Sequence, residues 1–344
     1  MYLTPFFARL LRWHRRHGRH DLPWQHPRTP YRVWVAEIML QQTQVATVIP
    51  YYQRFLARFP GIAALAAAPL DEVLALWSGL GYYARARNLH RAAQQIVARH
   101  GGEFPRGFEA AFALPGIGRS TAGAILAQAY GARHAILDGN ARRVFARHAG
   151  IKGWPGAPRV AQKLWCAAEE RLPRAKLVDY TQALMDLGAT LCTARAPRCG
   201  DCPVAADCVA RAQGKVERLP SPRPRRERPR RAAHLLLIEN DRGELLLERR
   251  PERGIWGGLW CPPLASGPWR KPGMKLIETL PQIRHAFTHY ELRMTPLRLR
   301  AGRVQAALAG ADWIQPAEFG RYGMPAPVRQ LLRSLWERPM AAID

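Results

Sequence analysis

Two acidic residues with unequal surroundings offer the first chemistry in this chain. Glu37 sits in Ala36-Glu37-Ile38-Met39-Leu40, an almost wholly apolar segment. A glutamate on a helix is ordinarily solvated. One embedded among apolar side chains has its pKa raised by desolvation, which suits a general acid. Asp138 precedes Gly139 and a new helical pattern, so helix N-capping is a sufficient role for it in isolation. Two carboxylates with divided duties are also what cleavage of an N-glycosidic bond needs. One donates a proton to the leaving base, and the other stays ionised beside an oxocarbenium-like sugar. Sequence alone does not bring the two together.

A second group of reactive side chains is Cys192, Cys199, Cys202 and Cys208, in the pattern C-x6-C-x2-C-x5-C. Four clustered cysteines read as a metal site more readily than as disulfides. Four thiolates close around either a zinc ion or a 4Fe–4S cluster; the spacing does not choose, and zinc is the simpler reading. Cys166 and Cys261 lie outside the pattern and read as ordinary packed thiols. Leu114-Pro115-Gly116-Ile117-Gly118 precedes Arg119-Ser120-Thr121 and an apolar run. Its glycines allow close backbone approach, and free N–H groups at a helix start suit a phosphate. An ordinary tight corner between helices would use the same residues.

The bulk charge gives these groups a context. Lys and Arg number 52 against 26 Asp and Glu, a formal net charge of +26, and only six of the 52 are lysine. Genome composition explains arginine over lysine but not the twofold excess of base over acid. A polyanionic partner, most simply nucleic acid, accounts for that excess. No apolar run has the length of a membrane span, and Met1–Gly18 lacks the features of a signal peptide, so a cytoplasmic location is expected.

The elements that must hold these residues are mostly helical over 30–215. Helices are expected at Tyr31–Gln44, Leu70–Leu80, Leu89–His100, Ser120–Tyr130, Ala141–His148, Arg159–Glu170 and Val178–Ala189. Residues 216–231 repeat Pro and Arg with almost nothing apolar and read as a linker. Beyond it, strands are expected at His234–Ile238 and Glu244–Glu248, joined by a turn at Asn240-Asp241-Arg242-Gly243, and at Met274–Leu280 and Leu292–Leu299. The expected organisation is therefore multidomain: an all-α domain over 1–215, the linker 216–231, and a smaller α+β domain over 232–344.

Taken together these motifs resemble a known superfamily. Leu-Pro-Gly-Ile-Gly before a helix is similar to the helix-hairpin-helix of DNA repair glycosylases. Leu137-Asp138-Gly139-Asn140 is similar to the segment carrying their catalytic aspartate. The cysteine pattern after such a hairpin resembles the iron–sulfur loop of the endonuclease III and MutY superfamily, which implies one 4Fe–4S cluster rather than zinc. Glu37 followed by Leu40-Gln41-Gln42-Thr43-Gln44-Val45 resembles the MutY-type adenine glycosylases, in which the matching glutamate protonates the adenine. Arg249–Pro263 resembles the R-P-x-x-G-x-W-G-G-L segment of their C-terminal domains, which share the MutT (Nudix) fold.

The resemblance implies specific roles. Glu37 and Asp138 are the catalytic pair. Gln41, Gln42, Tyr82, Gly116 and Gly118 contact DNA, and Arg19, Trp24, Ser120, Asn140 and Gln182 line the adenine pocket. Phe287, Thr288 and His289 sense 8-oxoguanine opposite the adenine. A solvated glutamine, a packed aromatic and a polar strand end are the plainer readings of Gln42, Tyr82 and 287–289. Extruding a base from the duplex costs a few kcal/mol, so filling side chains are needed. The implied partner is double-stranded DNA with A:8-oxoG or A:G mispairs, met by a monomer on the nucleoid.

Absences narrow the choice. A lyase needs a lysine for a Schiff base. Endonuclease III carries it just after the hairpin, where this chain has Ser120, and the first lysine here is Lys152. A monofunctional glycosylase that leaves an abasic site is expected. A Nudix hydrolase needs a run of glutamates, and between Gly254 and Leu280 only Glu278 is acidic. A non-catalytic DNA-binding protein would have no need of Glu37 with Asp138.

Overall fold

Thr29 and Pro30 start the helix that carries Glu37. The Thr29 hydroxyl accepts from the Arg32 backbone N–H at 3.3 Å, and Pro30 takes a first-turn position where its missing N–H is harmless. A computed structural model describes residues 4–224, 227–252, 254–267, 273–287, 289–302 and 310–336. The chain divides into one unit of 1–53, 61–63 and 91–225 and another of 54–60, 64–90 and 226–344.

The helices, in chain order, are α1 (Phe6–His17), α2 (Pro30–Leu40), α3 (Val45–Arg58), α4 (Ile62–Ala67), α5 (Leu70–Trp77), α6 (Ala84–Arg99), α7 (Phe108–Phe112), α8 (Arg119–Tyr130), α9 (Gly139–His148), α10 (Pro158–Glu170), α11 (Leu177–Asp186) and α12 (Val209–Ala212). A π-helical turn, Leu187–Leu191, extends α11. The sequence pattern missed α1 and α3, as well as the short α4, α7 and α12. In α1 the inward residues Phe6, Leu10 and His14 recur every four positions but are masked by the arginines and histidines between them. In α3 an internal Pro50 disguises the period. The helix expected to reach Gln44 stops at Leu40, because Gln42 takes a positive φ of 59°.

In the first unit, α2 and α8 are central. Val33, Trp34, Val35, Ala36, Ile38 and Met39 are all buried, as are Ala122–Gln128. A helix apolar on nearly every side is a core helix, so a polar residue on it needs a partner or a function. Gly123 shows why α8 is built from small residues: a Cβ there would lie 2.7 Å from the carbonyl oxygen of Ala135. That close approach brings the segment before Asp138 down onto α8. Phe6, Leu10, Ile136, Leu137, Phe145, Leu164, Tyr180 and Leu184 belong to the surrounding core.

The second unit is organised by an eight-stranded sheet: β1 (Arg230–Glu239), β2 (Leu245–Arg249), β3 (Trp260–Cys261), β4 (Leu264–Ala265), β5 (Met274–Thr279), β6 (Ile283–Ala286), β7 (Glu291–Ala301) and β8 (Ala311–Ile314). The path runs β3-β2-β1-β7-β5, with β4 on β1, β6 on β7 and β8 on β2. β1 and β7 pair in parallel from Arg230↔Glu291 to Glu239↔Arg300, and the other pairs are antiparallel. The first strand thus begins inside the Pro/Arg-rich stretch. Its alternate residues Leu236 and Ile238 pack with Leu246, Leu297 and Leu299. A last helix, α13 (Ala326–Trp336), buries Val328 and Leu332. Residues 64–90 belong to this unit through contacts such as the Tyr83 hydroxyl donating to the Met324 carbonyl at 2.8 Å.

Candidate active site

Glu37 meets its partners from α8. Gln128 Nε2 donates to Glu37 Oε1 at 2.9 Å, and Gln128 Oε1 accepts from Arg28 Nη1 at 3.2 Å. Gln128 is buried, so this bond is shielded from water. Glu37 keeps some accessible surface, but protein crowds it closely enough for burial to dominate its titration. Burial first, then the charge of Asp138, pushes its pKa up to about 8, against a smaller lowering by Gln128. A carboxylic acid that is still protonated near neutral pH is a proton donor.

Asp138 does cap α9: its Oδ1 accepts from the Ala141 backbone N–H at 2.8 Å. Burial raises its pKa, opposed by the Ala141 and Asn140 N–H groups and the charges of Arg143 and Arg142. Both carboxyls pay for burial, but only Asp138 has a helix N-terminus and two guanidinium groups to favour its anion. On balance burial still leaves Asp138 raised, and its charge adds to the raising of Glu37. Ser120 helps seat Asp138, since its hydroxyl oxygen accepts from the Leu137 backbone N–H at 2.8 Å.

A third acid, Asp186 at the end of α11, gathers two more of the expected residues. Arg19 donates to it through its backbone N–H and Nε, both at 2.8 Å, and its Nη2 forms an ion pair with Oδ1 at 2.6 Å. Gln182 Nε2 donates to its Oδ1 at 2.8 Å. His14 Nε2 lies 3.5 Å from its Oδ2. Burial alone would raise the pKa of Asp186, but His14 and Arg19 together hold it below the ordinary carboxylate range. Asn140 is held differently, by Arg143 Nη2 on its Oδ1 at 2.7 Å.

The first unit thus brings Glu37, Asp138 and Ser120 into one connected region, with Gln182 and Arg19 joined through Asp186. Gln128, Arg28, Asp186 and Arg143 were not singled out from sequence. One signal existed: Gln128 is the only large polar side chain in Ala122–Gln128. Trp24 is buried and packs edge-on against Tyr52, with ring centroids 5.4 Å apart.

The hairpin turn places Gly116 at φ 79° and Gly118 as the residue before α8. Gln41 Nε2 donates to Thr121 Oγ1 at 3.3 Å, tying the end of α2 to the start of α8. Gln42 is exposed with its backbone in the left-handed region. Tyr82, in the second unit, has φ 49° and is 53% exposed. Non-glycine residues held at positive φ are uncommon and cluster at functional positions.

Cys192, Cys199, Cys202 and Cys208 all line one hollow, with Arg147, Arg198 and Arg211 on its wall. Arg147 Nη1 approaches Cys192 Sγ at 3.4 Å, and other Arg147 bonds reach the Thr193 carbonyl at 2.7 Å and the Leu219 carbonyl at 2.9 Å. The four thiols and the guanidinium groups around them are a donor set suited to a centre held by thiolates, whose negative charge the arginines would offset, though among the described residues no three of the side chains are grouped closely enough to hold a single metal ion. A centre bound by these cysteines would fix the loop. Cys261 is buried as expected. Cys166 is not a packed thiol: it is exposed, because α10 turns Leu164, Ala167 and Ala168 inward and leaves position 166 on its outer face.

In the second unit, Phe287 follows β6, and its N–H donates to the Tyr290 carbonyl at 2.8 Å, closing a hairpin into β7. Phe287 packs edge-on against His285 at 4.6 Å and at a tilt against Tyr290 at 4.9 Å, while His289 is exposed. Thr288 lies outside the described residues. Phe287, His289, Tyr290, Trp256, Arg231 and Arg250 line a cavity of about 760 Å³. Glu278, the sole acid of the segment after Gly254, is half-exposed and lies 3.5 Å from Arg298.

Residues 35–170 match the HhH-GPD superfamily of base excision DNA repair proteins. Residues 192–208 match the iron–sulfur binding domain of endonuclease III, and 234–334 match the NUDIX domain. An adenine DNA glycosylase of Buchnera aphidicola subsp. Acyrthosiphon pisum is 35% identical over 340 residues, covering 96% of this chain and 97% of that protein. The chain belongs to the adenine DNA glycosylase family. It is thus an enzyme of base excision repair that hydrolyses N-glycosyl bonds in DNA, and its cysteine loop is an iron–sulfur site. The human adenine DNA glycosylase is 44% identical over 226 residues, 63% of this chain and 41% of that one. A thermostable thymine-DNA glycosylase structure is 30% identical with a TM-score of 0.55, covering 60% of this chain and 95% of that one. An endonuclease III–DNA complex, at 22% identity and TM-score 0.52 over 60% of this chain and 94% of that one, shares the fold. Among the described residues no helix is long and apolar enough to cross a membrane.

Proposed function

We propose that this adenine glycosylase is monofunctional and excises adenine mispaired with 8-oxoguanine or guanine. The single observation that carries the proposal is the unequal pair Glu37 and Asp138. Glu37, with a pKa near 8, gives its proton to the extruded adenine. The C1′–N9 bond then breaks with its electrons leaving on the protonated base. Asp138, whose carboxylate the Ala141 and Asn140 N–H groups and the charges of Arg143 and Arg142 favour against burial, is proposed to stabilise the positive sugar until water adds. Water loses a proton to the Glu37 carboxylate, and an abasic site remains. Ser120 in the place of a lyase lysine supports the monofunctional reading, since a hydroxyl forms no Schiff base.

Gln42 and Tyr82 are proposed to fill the space beside the extruded base, Gln41 and the hairpin glycines to meet the DNA backbone, and Arg19, Trp24, Asn140 and Gln182 to shape the adenine pocket. Phe287 and His289, with Thr288, are proposed to read the opposite 8-oxoguanine. The aromatic, arginine-walled cavity beside Phe287 supports that reading. The cysteines are proposed to hold one 4Fe–4S cluster. The domain limits 1–215, 216–231 and 232–344 are kept as the functional division, and the enzyme is proposed to act as a cytoplasmic monomer on nucleoid DNA.

The test is adenine release from a duplex with A opposite 8-oxoG. Glu37→Gln and Asp138→Asn are expected to abolish release while DNA binding persists, and borohydride is expected to trap no covalent enzyme–DNA product. Full activity in either variant sinks the assignment of roles; efficient trapping sinks the monofunctional reading.

A further inference from the structure

The polarity of Gln182 is set from behind. An amide offers a donor at one end and an acceptor at the other, and only its hydrogen bonds decide which way it faces. Asp186 is fully buried, and as a carboxylate it can only accept. It takes Gln182 Nε2 at 2.8 Å and is locked in turn by two hydrogen bonds and an ion pair from Arg19. Gln182 Oε1 has no hydrogen-bond partner among the described residues, and Gln182 as a whole is 3% exposed. So Gln182 presents an acceptor and has no means of turning.

That acceptor stands on the catalytic side of α11. One turn along the same face, Met185 Sδ lies 3.7 Å from the Gln128 nitrogen that donates to Glu37. Arg28, which holds the other end of Gln128, is also within electrostatic reach of Asp179, one turn before Gln182. The face of α11 carrying positions 179, 182 and 185 is therefore the face turned toward Glu37. Adenine carries one exocyclic donor, its 6-amino group, whereas a 6-oxopurine carries an acceptor there.

We propose that Asp186 is a positioning residue that makes the base pocket selective for 6-aminopurines, by holding Gln182 with its carbonyl oxygen toward the base. It rests on the reading of Glu37 and Asp138 as the catalytic pair. A 6-oxopurine in the same pose sets two acceptors against each other, and Gln182 cannot rotate to relieve it without setting its own oxygen against the Asp186 carboxylate. A correct hydrogen-bonding match of this kind discriminates by roughly 10- to 100-fold.

The experiment compares single-turnover excision of adenine and of hypoxanthine, each opposite 8-oxoguanine, in the same enzyme preparation. A ratio of two rates is insensitive to the fraction of folded protein. Asp186→Asn supplies a donor as well as an acceptor and lets Gln182 turn. The ratio of adenine to hypoxanthine excision is expected to fall about tenfold from the wild-type value. Gln182→Leu, which removes the acceptor outright, is expected to lower the ratio as well and serves if Asp186→Asn does not fold. Equal losses for both bases in Asp186→Asn, with the ratio unchanged, would mean that Asp186 is only structural and overturn the proposal. An unchanged ratio in Gln182→Leu would overturn it too. Failure of the underlying reading looks different: Glu37→Gln and Asp138→Asn would then still release adenine.

Discussion

Replacing Gln128 by Leu tests the acid directly. Leu has a similar reach, leaves Glu37 buried, and removes the N–H that Glu37 Oε1 accepts at 2.9 Å. That bond favours the charged carboxylate, since Gln128 lowers the Glu37 pKa while burial and Asp138 raise it. A hydrogen bond to a charged group contributes about 1.5–3 kcal/mol, and about 1.4 kcal/mol corresponds to one pKa unit. Losing it raises the Glu37 pKa by roughly one to two units. The sign for activity follows. Glu37 donates only when protonated, so excision is present below its pKa and is lost as pH rises through it. In the wild-type enzyme single-turnover adenine release should decline near pH 8, the pKa held by Glu37. In Gln128→Leu the decline should move to higher pH. The assay is the single-turnover rate against pH at saturating enzyme. A decline that stays in place, or moves to lower pH, refutes the reasoning, because neither fits a donor that stabilises the Glu37 anion.

Three further outcomes follow from the same geometry. Asp138→Asn keeps an oxygen to cap α9 and removes a buried charge, so its Tm should not fall, whereas Asp138→Ala also loses the cap, worth about 1 kcal/mol; equal Tm values for the two variants would count against the cap. The purified protein should show the broad visible absorbance of an iron–sulfur chromophore, lost in Cys202→Ser, and a colourless protein with stoichiometric zinc would contradict the cluster assignment. Phe287→Ala combined with His289→Ala should reduce the preference for A:8-oxoG over A:G more than it slows excision from A:G, and an unchanged preference would remove these residues from recognition.

Much of the chemistry was legible because it is written locally. Four cysteines within one loop, an aspartate before a helix start, and glycines at a hairpin are each decided by neighbours a few residues away, where spacing and backbone geometry suffice. Glu37 was visible for the same reason: its neighbours in α2 are apolar, so a charge there had to be buried or functional. Four of the eight strands were legible from β-rich runs and the Asn240–Gly243 turn, the short β3, β4, β6 and β8 were not, and α1 was hidden by its own arginines. What the tertiary structure alone decided is which distant groups face each other and with which polarity. Gln128 lies far along the chain from Glu37, and Asp186 from Arg19, so no local pattern links them. Burial likewise belongs to packing: it raises the pKa values of Glu37 and Asp138 together, and their different partners oppose it. Types of residue are a property of the sequence, but the pKa of an acid and the facing of an amide are set by every group packed around them.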